Sequence, residues 1–411
     1  MFSALKRAFG RPPIAPKPPL RVHGLRDGYR LSAEQHAYCV TLVDRVERLY
    51  RDAPAYVDSR GLDRALVFPG NEWAGIIPVE GLAFRRTYND INFVRLMAPF
   101  AGYYLMFLDR LDVRHFPEPW NDAFLADIGQ HGLREDLIDR LVERVDPAER
   151  LAGCVEEYRQ HIRNVPKQYV VRTPRMFGEI GVEVDGLLAN PDVTLCQSRI
   201  NGMLCSGVLD KLHADVARRG RVRVLEIGAG FGPLGQALKN IFGDSLEYVV
   251  VDLPSILYYS GIYLATLANG EGCHVLLPGE KVPDRFKFLF VANYLLDELG
   301  DSLGPIDLAL NAMSFPEMSP EQVRYYAELL KRLLRTDGVV FDENAALKPH
   351  HTDSKAIFAE VFPYRKVVTS DVVVTKNWCQ DVWASSYVGD VFDYSDATLR
   401  TSREPPPDAG R

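Results

Sequence analysis

Residues 221–264, RVRVLEIGAGFGPLGQALKNIFGDSLEYVVVDLPSILYYSGIYL, decide the fold. Val222–Ile227 is a short, Val-rich apolar run ended by glycines, which reads as a buried parallel strand. Gly228, Gly230 and Gly232 follow at once. Residues 235–241 read as a helix that Gly243 ends. A second strand, 247–251, terminates in Asp252. Strand, glycine turn, helix, strand and acid form the layout of a nucleotide-type pocket at the carboxyl end of a parallel sheet.

The spacing narrows the ligand. A dinucleotide fingerprint is G-x-G-x-x-G, with its last glycine packing helix on strand. Here the order is Glu226-x-Gly228-Ala229-Gly230-x-Gly232, followed by Pro233. Glycine turns allow close backbone approach to a ligand. Asp252, with Leu253 after it, is placed to accept hydrogen bonds from ribose hydroxyls. A pyrophosphate needs an exposed helix N-terminus and free N–H groups. Glu226 at the lip of the first strand would repel one, and it suits a cationic ligand such as a sulfonium with an amino group. An NAD-dependent oxidoreductase is disfavoured on both counts.

VLEIGAGFG and VVVDLP resemble the first and second motifs of class I S-adenosylmethionine-dependent methyltransferases. Within that superfamily the chain is most similar to the sugar O-methyltransferases of bacterial polysaccharide clusters. IGVEVDGLLAN (180–190), LEIGAGFGPL, VVVDLPSILYYS and IDLALNAMSFPEM (306–318) carry the resemblance. It covers the C-terminal half well and the N-terminal half loosely. It implies an α/β fold: a Rossmann-like, seven-stranded sheet with helices on both faces, preceded by a mainly helical N-terminal domain. It also implies S-adenosylmethionine as cofactor, S-adenosylhomocysteine as product and a sugar or glycan hydroxyl as acceptor. A natural-product O-methyltransferase and a cofactor-binding but inactive scaffold subunit remain the alternatives.

Bulk composition agrees with such an enzyme. The 411 residues allow one large or two moderate domains. The net charge of −7 argues against a broad nucleic-acid surface. Six cysteines are scattered without a C-x-x-C pair, as in a reduced, cytoplasmic protein. The first 19 residues lack the long apolar run of a secretory signal. The uncharged stretch 96–108 is shorter than the roughly 20 residues that span a bilayer. MFSALKRAF at the start is either a frayed end or a basic amphipathic turn giving peripheral contact with the inner face of a membrane. A homodimer is compatible with the sequence.

The chain divides into a terminus (1–19, Pro-rich from 11), a mainly helical domain (20–165), a bridging segment with a hairpin that could fold over the cofactor (166–195), the cofactor-binding domain (196–395) and a polar tail (396–411). Helices are expected over 32–52, with a Ser32/Gln35 capping box and Pro54 as terminator, and over 91–113, 120–145 and 151–164. The loop-rich stretch 67–92 interleaves aromatic and polar residues and could bind a polyol. Later strands are expected at 273–277, 306–311 and 338–342, with a closing antiparallel pair at 364–370 and 382–387. Residues 286–292 fit an extra strand or the start of a helix.

Methyl transfer to a hydroxyl is an in-line displacement helped by a general base. That base should stand past the carboxyl ends of the central strands. Glu317 is the first choice for base or substrate anchor, with Ser314 beside it; Glu317 could equally cap the helix starting near Ser319. His350 and His351 titrate near neutral pH and could also take the proton. Asn311 could hold the methionine part or simply end its strand. Arg199 could grip the cofactor carboxylate or form a surface or interdomain ion pair. Asn293 could reach the adenine. A divalent metal is not favoured: His350 and His351, with Asp353, are adjacent and lack H-x₃-H spacing, and although Asp297, Glu298, Asp342 and Glu343 could serve in principle, Asp297 and Glu298 read as a solvated helix face.

Overall fold

The computed structural model describes residues 22–23, 31–68, 147–175, 179, 181–344, 351–377 and 382–393. The expectations for the N-terminal turn, the linker, most of 67–92, the helices at 91–113 and 120–145, His350 and the tail lie outside them.

The first element is β1 (Val22–His23), followed by helix α1 (Ala33–Arg60). Ser32 and Gln35 form the expected capping box. The helix does not stop at Pro54. A proline inside a helix costs a hydrogen bond and about 3 kcal/mol, yet the apolar stripe of Cys39, Leu42, Val43, Val46, Leu49, Ala53 and Val57 runs straight past it. Burial of Ala53 and Val57 carries the helix on to Arg60, where Gly61 in the left-handed region caps it. Short α2 (Arg64–Val67) and then α3 (Pro147–Ile162) follow.

The expected hairpin forms from β2 (Gly181–Val184) and β3 (Leu187–Ala189). Asp185 and Gly186, with φ of 51° and 81°, make the tight turn, as Asp-Gly pairs do. Strand β1 adds to β2 as a third, antiparallel strand. Helix α4 (Pro191–Cys205), capped by the Asn190 side chain, and α5 (Val208–Arg219) lead into the main sheet.

That sheet comprises β4 (Val222–Ile227), β5 (Leu246–Asp252), β6 (Cys273–Val275), β7 (Phe288–Ala292), β8 (Ile306–Ala312), β9 (Leu334–Glu343), β10 (Tyr364–Asn377) and β11 (Val382–Asp393), in the order β10-β11-β9-β8-β4-β5-β7-β6. Its helices are α6 (Pro233–Phe242), α7 (Pro254–Leu267), α8 (Leu296–Leu303), α9 (Pro320–Leu333) and α10 (Ser354–Val361). Neighbours from β9 to β6 are parallel. Strand β11 lies antiparallel to both β9 and β10, between which it is wedged. This is a Rossmann-like α/β sheet, with eight strands rather than the seven expected. The extra one arises because FLFVA of β7 is buried throughout and pairs with β5 on one side and β6 on the other. Five residues are too few for a helix and enough for a buried strand.

Helix α7 is buried on nearly all sides, which requires a second cover besides the sheet. That cover is α1. A Cβ on Gly261 would stand 2.8 Å from Leu42 Cδ2, so the glycine admits a close crossing. The Cys39 thiol lies 3.3 Å from the Thr266 hydroxyl. Helix α1 also covers the sheet's free edge: Tyr38 donates to the Cys273 carbonyl at 2.9 Å, and Arg45 donates to the Val275 carbonyl at 3.0 and 2.8 Å. Exposed strand edges invite pairing with other chains, and here side chains occupy it. Leu42, Val46 and Val57 belong to the same apolar cluster as Ile227 and Val251. Among the described residues no helix is long and apolar enough to cross a membrane.

Candidate active site

The candidate site lies where β4, β5, β7, β8 and β9 end. Gly228, Gly230 and Gly232 all have positive φ, 73°, 58° and 91°, and the outer two are packed against different neighbours. A Cβ on Gly228 would fall 2.2 Å from Ser314 Oγ, and one on Gly232 would meet Leu264 at 3.0 Å. A Cβ on Gly230 would meet nothing within 4 Å among the described residues. Space for a ligand therefore opens over Gly230, while the outer two glycines are packed. Ala229 is buried, and its carbonyl accepts the Gly232 N–H at 2.9 Å.

Asp252 reaches back beneath this turn. Its Oδ2 accepts the Gly230 N–H at 3.1 Å and its Oδ1 accepts the Leu253 N–H at 2.8 Å. Burial pushes its pKa up to about 7; the two N–H groups pull it back, while the charges of Glu226 and Glu317 push it up further. Glu226 is likewise raised to about 7 by burial, against the pull of the Tyr248 hydrogen bond and the Arg199 charge. Tyr248 Oη donates to Glu226 Oε2 at 2.7 Å. Tyr248 was not singled out from the sequence; the available signal is a polar-tipped ring inside the buried run LEYVVVD, where such a hydroxyl needs a partner.

Other candidates sit in this region with altered duties. Asn311 is fully buried and saturated. Its Nδ2 donates to the Ile227 carbonyl at 2.8 Å and to Ser314 Oγ at 2.5 Å, and its Oδ1 accepts the Phe315 N–H at 3.1 Å and Asn344 Nδ2 at 2.7 Å. An amide has four such bonds to give, so none remains for a methionine moiety; Asn311 instead locks the end of β8 to the end of β4. Ser314 shares that lock and lies 3.3 Å from the Ile227 carbonyl. Asn293 donates to the Val67 carbonyl at 2.5 Å, tying α2 to the end of β7. Arg199 Nε forms a 2.7 Å ion pair with Glu343; both side chains are largely buried and lie within the expected cofactor-binding domain, so the pair is neither a surface nor an interdomain one, and the Arg199 charge also bears on Glu226.

Glu317 closes a one-turn 3-10 helix, Phe315–Glu317. It does not cap the following helix: Ser319 does, in a capping box with Gln322. Its carboxylate is half-buried and close enough to act on Asp252. The segment carrying His351 is stitched to this same turn, since Thr352 donates its N–H to the Pro316 carbonyl at 3.0 Å and its hydroxyl to the Met318 carbonyl at 2.6 Å. Glu317 and His351 thus share one wall. Met313, just past the end of β8, has a φ of 65°, uncommon for a residue with a side chain; its N–H donates to the Glu343 carbonyl at 3.1 Å.

Asp297 and Glu298 are engaged by Arg332 and Arg60. Asp342 is buried and accepts a hydrogen bond from Asn344. Among the described residues no group of three or more His, Cys, Asp or Glu side chains is arranged to hold a metal ion.

No family model and no curated protein matches the chain. Among solved structures, it is similar to the O-methyltransferase TomG from Streptomyces achromogenes in complex with S-adenosylmethionine, with 14% identity over 58% of this chain and 87% of that one and a TM-score of 0.30. The bifunctional kinase-methyltransferase WbdD gives 13% identity over 58% of this chain and 46% of its own, with a TM-score of 0.34. The methyltransferase PaMTH1 from Podospora anserina, bound to S-adenosylhomocysteine, gives 16% identity over 59% and 94%, with a TM-score of 0.30. Likeness at this level is silent on ligand and substrate.

Proposed function

We propose that the chain is an S-adenosylmethionine-dependent O-methyltransferase. The observation that carries this is the Asp252–Gly230 arrangement: a buried carboxylate at the end of β5, hydrogen-bonded to a turn that is open above Gly230. The donor set fits the cofactor. Asp252 would take the ribose hydroxyls, the Gly228–Gly232 turn would admit its backbone-hugging body, and the three acids Glu226, Asp252 and Glu317 favour a cation. A diphosphate would face those same acids, with the nearby Arg199 already engaged by Glu343. S-adenosylmethionine, when bound, supplies an electrophilic methyl group on a sulfonium.

The remaining work falls to the chain. Asn311 and Ser314 fix the spacing between the β4 and β8 ends, so the wall bearing Glu317 is held at a set distance from the glycine turn. Glu317, released from capping, is positioned to accept the proton of an acceptor hydroxyl, with His351 on the same wall as the second candidate. Correct placement of such a base contributes about 10²–10⁴-fold.

A sugar hydroxyl is the acceptor we favour, supported by the resemblance over 180–190 and 306–318. A phenolic or other small natural product is the alternative. Thermal shift decides the cofactor: S-adenosylmethionine and S-adenosylhomocysteine should raise the melting temperature and NAD should not. Methyl transfer assayed on nucleotide sugars against phenols decides the acceptor, and turnover of phenols alone would exclude the sugar.

A further inference from the structure

A cavity of about 480 Å³ lies on the flank of the molecule, between α1 and the edge strand β6. In the sheet order β6 stands two strands beyond β5, about 10 Å at the usual strand spacing, so the cavity is separate from the glycine turn. Its volume falls within the range of small-molecule pockets. Leu42, Val275 and Leu276 give it an apolar floor, while Tyr38, Arg45 and Lys281 supply polar wall and rim.

We propose that this cavity is a binding site for a small organic anion, a carboxylate or phosphate monoester carried on an apolar body. Its walls are fixed before any ligand arrives. The Tyr38 ring packs so closely on the turn at Gly270 that a Cβ there would stand 2.8 Å away, and its hydroxyl is held by the Cys273 carbonyl. Arg45 is forked onto the Val275 carbonyl and paired with Glu280. Glu280 is itself pinned by the Leu277 N–H at 2.9 Å. Fixed polar groups around an apolar floor are what a specific small-molecule site requires.

The charge is equally specific. Glu280 offsets Arg45, which leaves Lys281 at the rim, exposed and without an ion-pair partner among the described residues. Burial and then the Arg45 charge hold His274 below its usual range, so this rim histidine stays neutral at pH 7. Among the described residues the pocket lining therefore carries one positive charge in excess, on a chain whose net charge is −7. An anionic head at Lys281 with an apolar body over Leu42 and Leu276 satisfies both halves of the lining.

Isothermal titration calorimetry on the full chain tests this with phenyl phosphate, benzoate, inorganic phosphate and benzyl alcohol. Saturable binding of phenyl phosphate or benzoate is expected, with benzyl alcohol and inorganic phosphate each about tenfold weaker or more, since each lacks one half of the match. The tighter of the two organic anions identifies the head group. Lys281→Gln should weaken binding about tenfold. Thr41→Trp, at an exposed position on the cavity wall, should abolish it while leaving the melting temperature and the response to S-adenosylmethionine unchanged. No saturable heat with either organic anion overturns the proposal. So does binding undiminished in both variants, or inorganic phosphate binding as tightly as phenyl phosphate.

Discussion

The two ends of the central sheet treat buried carboxylates in opposite ways. At the amino end each acid is surrounded by cations. Glu247 is met by Arg221, Arg223 and Arg285 at 3.2, 2.7 and 3.1 Å. Asp307 is met by Arg219 and Arg335 at 2.5 and 2.7 Å. Asp215 sits among Lys211, Arg218 and Arg219, whose bonds outweigh the effect of burial and lower its pKa. At the carboxyl end Glu226, Asp252 and Asp342 are buried just as deeply, but burial wins and each is raised to about 7. Burying a carboxylate is costly unless it is paired. The amino end offsets that cost with arginines; the carboxyl end does so at Glu343, with Arg199, and at Asp390, with Arg365 and Lys355, but leaves it standing at Glu226, Asp252 and Asp342, and perturbed acids of this kind cluster at functional sites.

The sharpest way to break this contrast is Glu317→Gln. It should lower kcat about 10³-fold while the thermal shift with S-adenosylmethionine persists; unchanged turnover would remove Glu317 from the chemistry and point to the His351 side of the wall. Next is Glu247→Gln at the other end. Three arginines would lose their shared carboxylate, and chemical denaturation should show a loss of about 3 kcal/mol with little change in cofactor affinity per folded molecule. A merely structural carboxyl end would respond in the same way, so the comparison with Asp252→Asn is informative. That variant should weaken S-adenosylmethionine binding about 10²-fold, read by calorimetry, with melting temperature preserved or raised.

The smallest effect concerns Asp342. Its folded pKa is raised to about 7 against an ordinary value of 3.8. The folded state therefore holds a proton that the unfolded state releases, and the associated stability is complete below about pH 4 and lost as pH rises through 7. Neither Asp342 Oδ2 nor Asn344 Oδ1 has a hydrogen-bond partner among the described residues. Asp342→Asn keeps the Oδ1 bond to Asn344 and removes the charge. It should flatten this part of the stability profile and stabilise the protein by about 2 kcal/mol at pH 8. A variant that melts lower than wild type at pH 8 would show that the ionised carboxylate has a partner of its own.

Much of this molecule is written locally. VRVLEI, the glycine turn and EYVVVD carry strand, turn and terminal acid in consecutive residues, and the structure joins Asp252 to Gly230 as that layout requires. The Ser32 and Asn190 caps and the Asp185–Gly186 turn were equally local. Position in the chain also placed Glu317 past a buried strand end. What misled was local grammar applied where packing decides. Pro54 is a helix terminator in isolation, but Val57 had core to reach. The run at 286–292, by contrast, fits either of the two expected forms because it has no period of its own, and pairing with β5 and β6 decides for the strand.

Sequence alone therefore determined the sheet's central strands, the turn and the acid beneath it, because each depends on residues within a few positions of one another. Tertiary structure decided the rest. Asn311 serves as a lock because Ile227, 84 positions earlier, ends its strand alongside. Glu226 has Tyr248 for a partner, 22 positions later, because β4 and β5 run in register. Arg199 turns to Glu343, 144 positions on, and α1 closes an edge made some 230 residues downstream. Such partners are set by strand register and by which helix finds a free apolar face, and neither is fixed until the whole chain has packed.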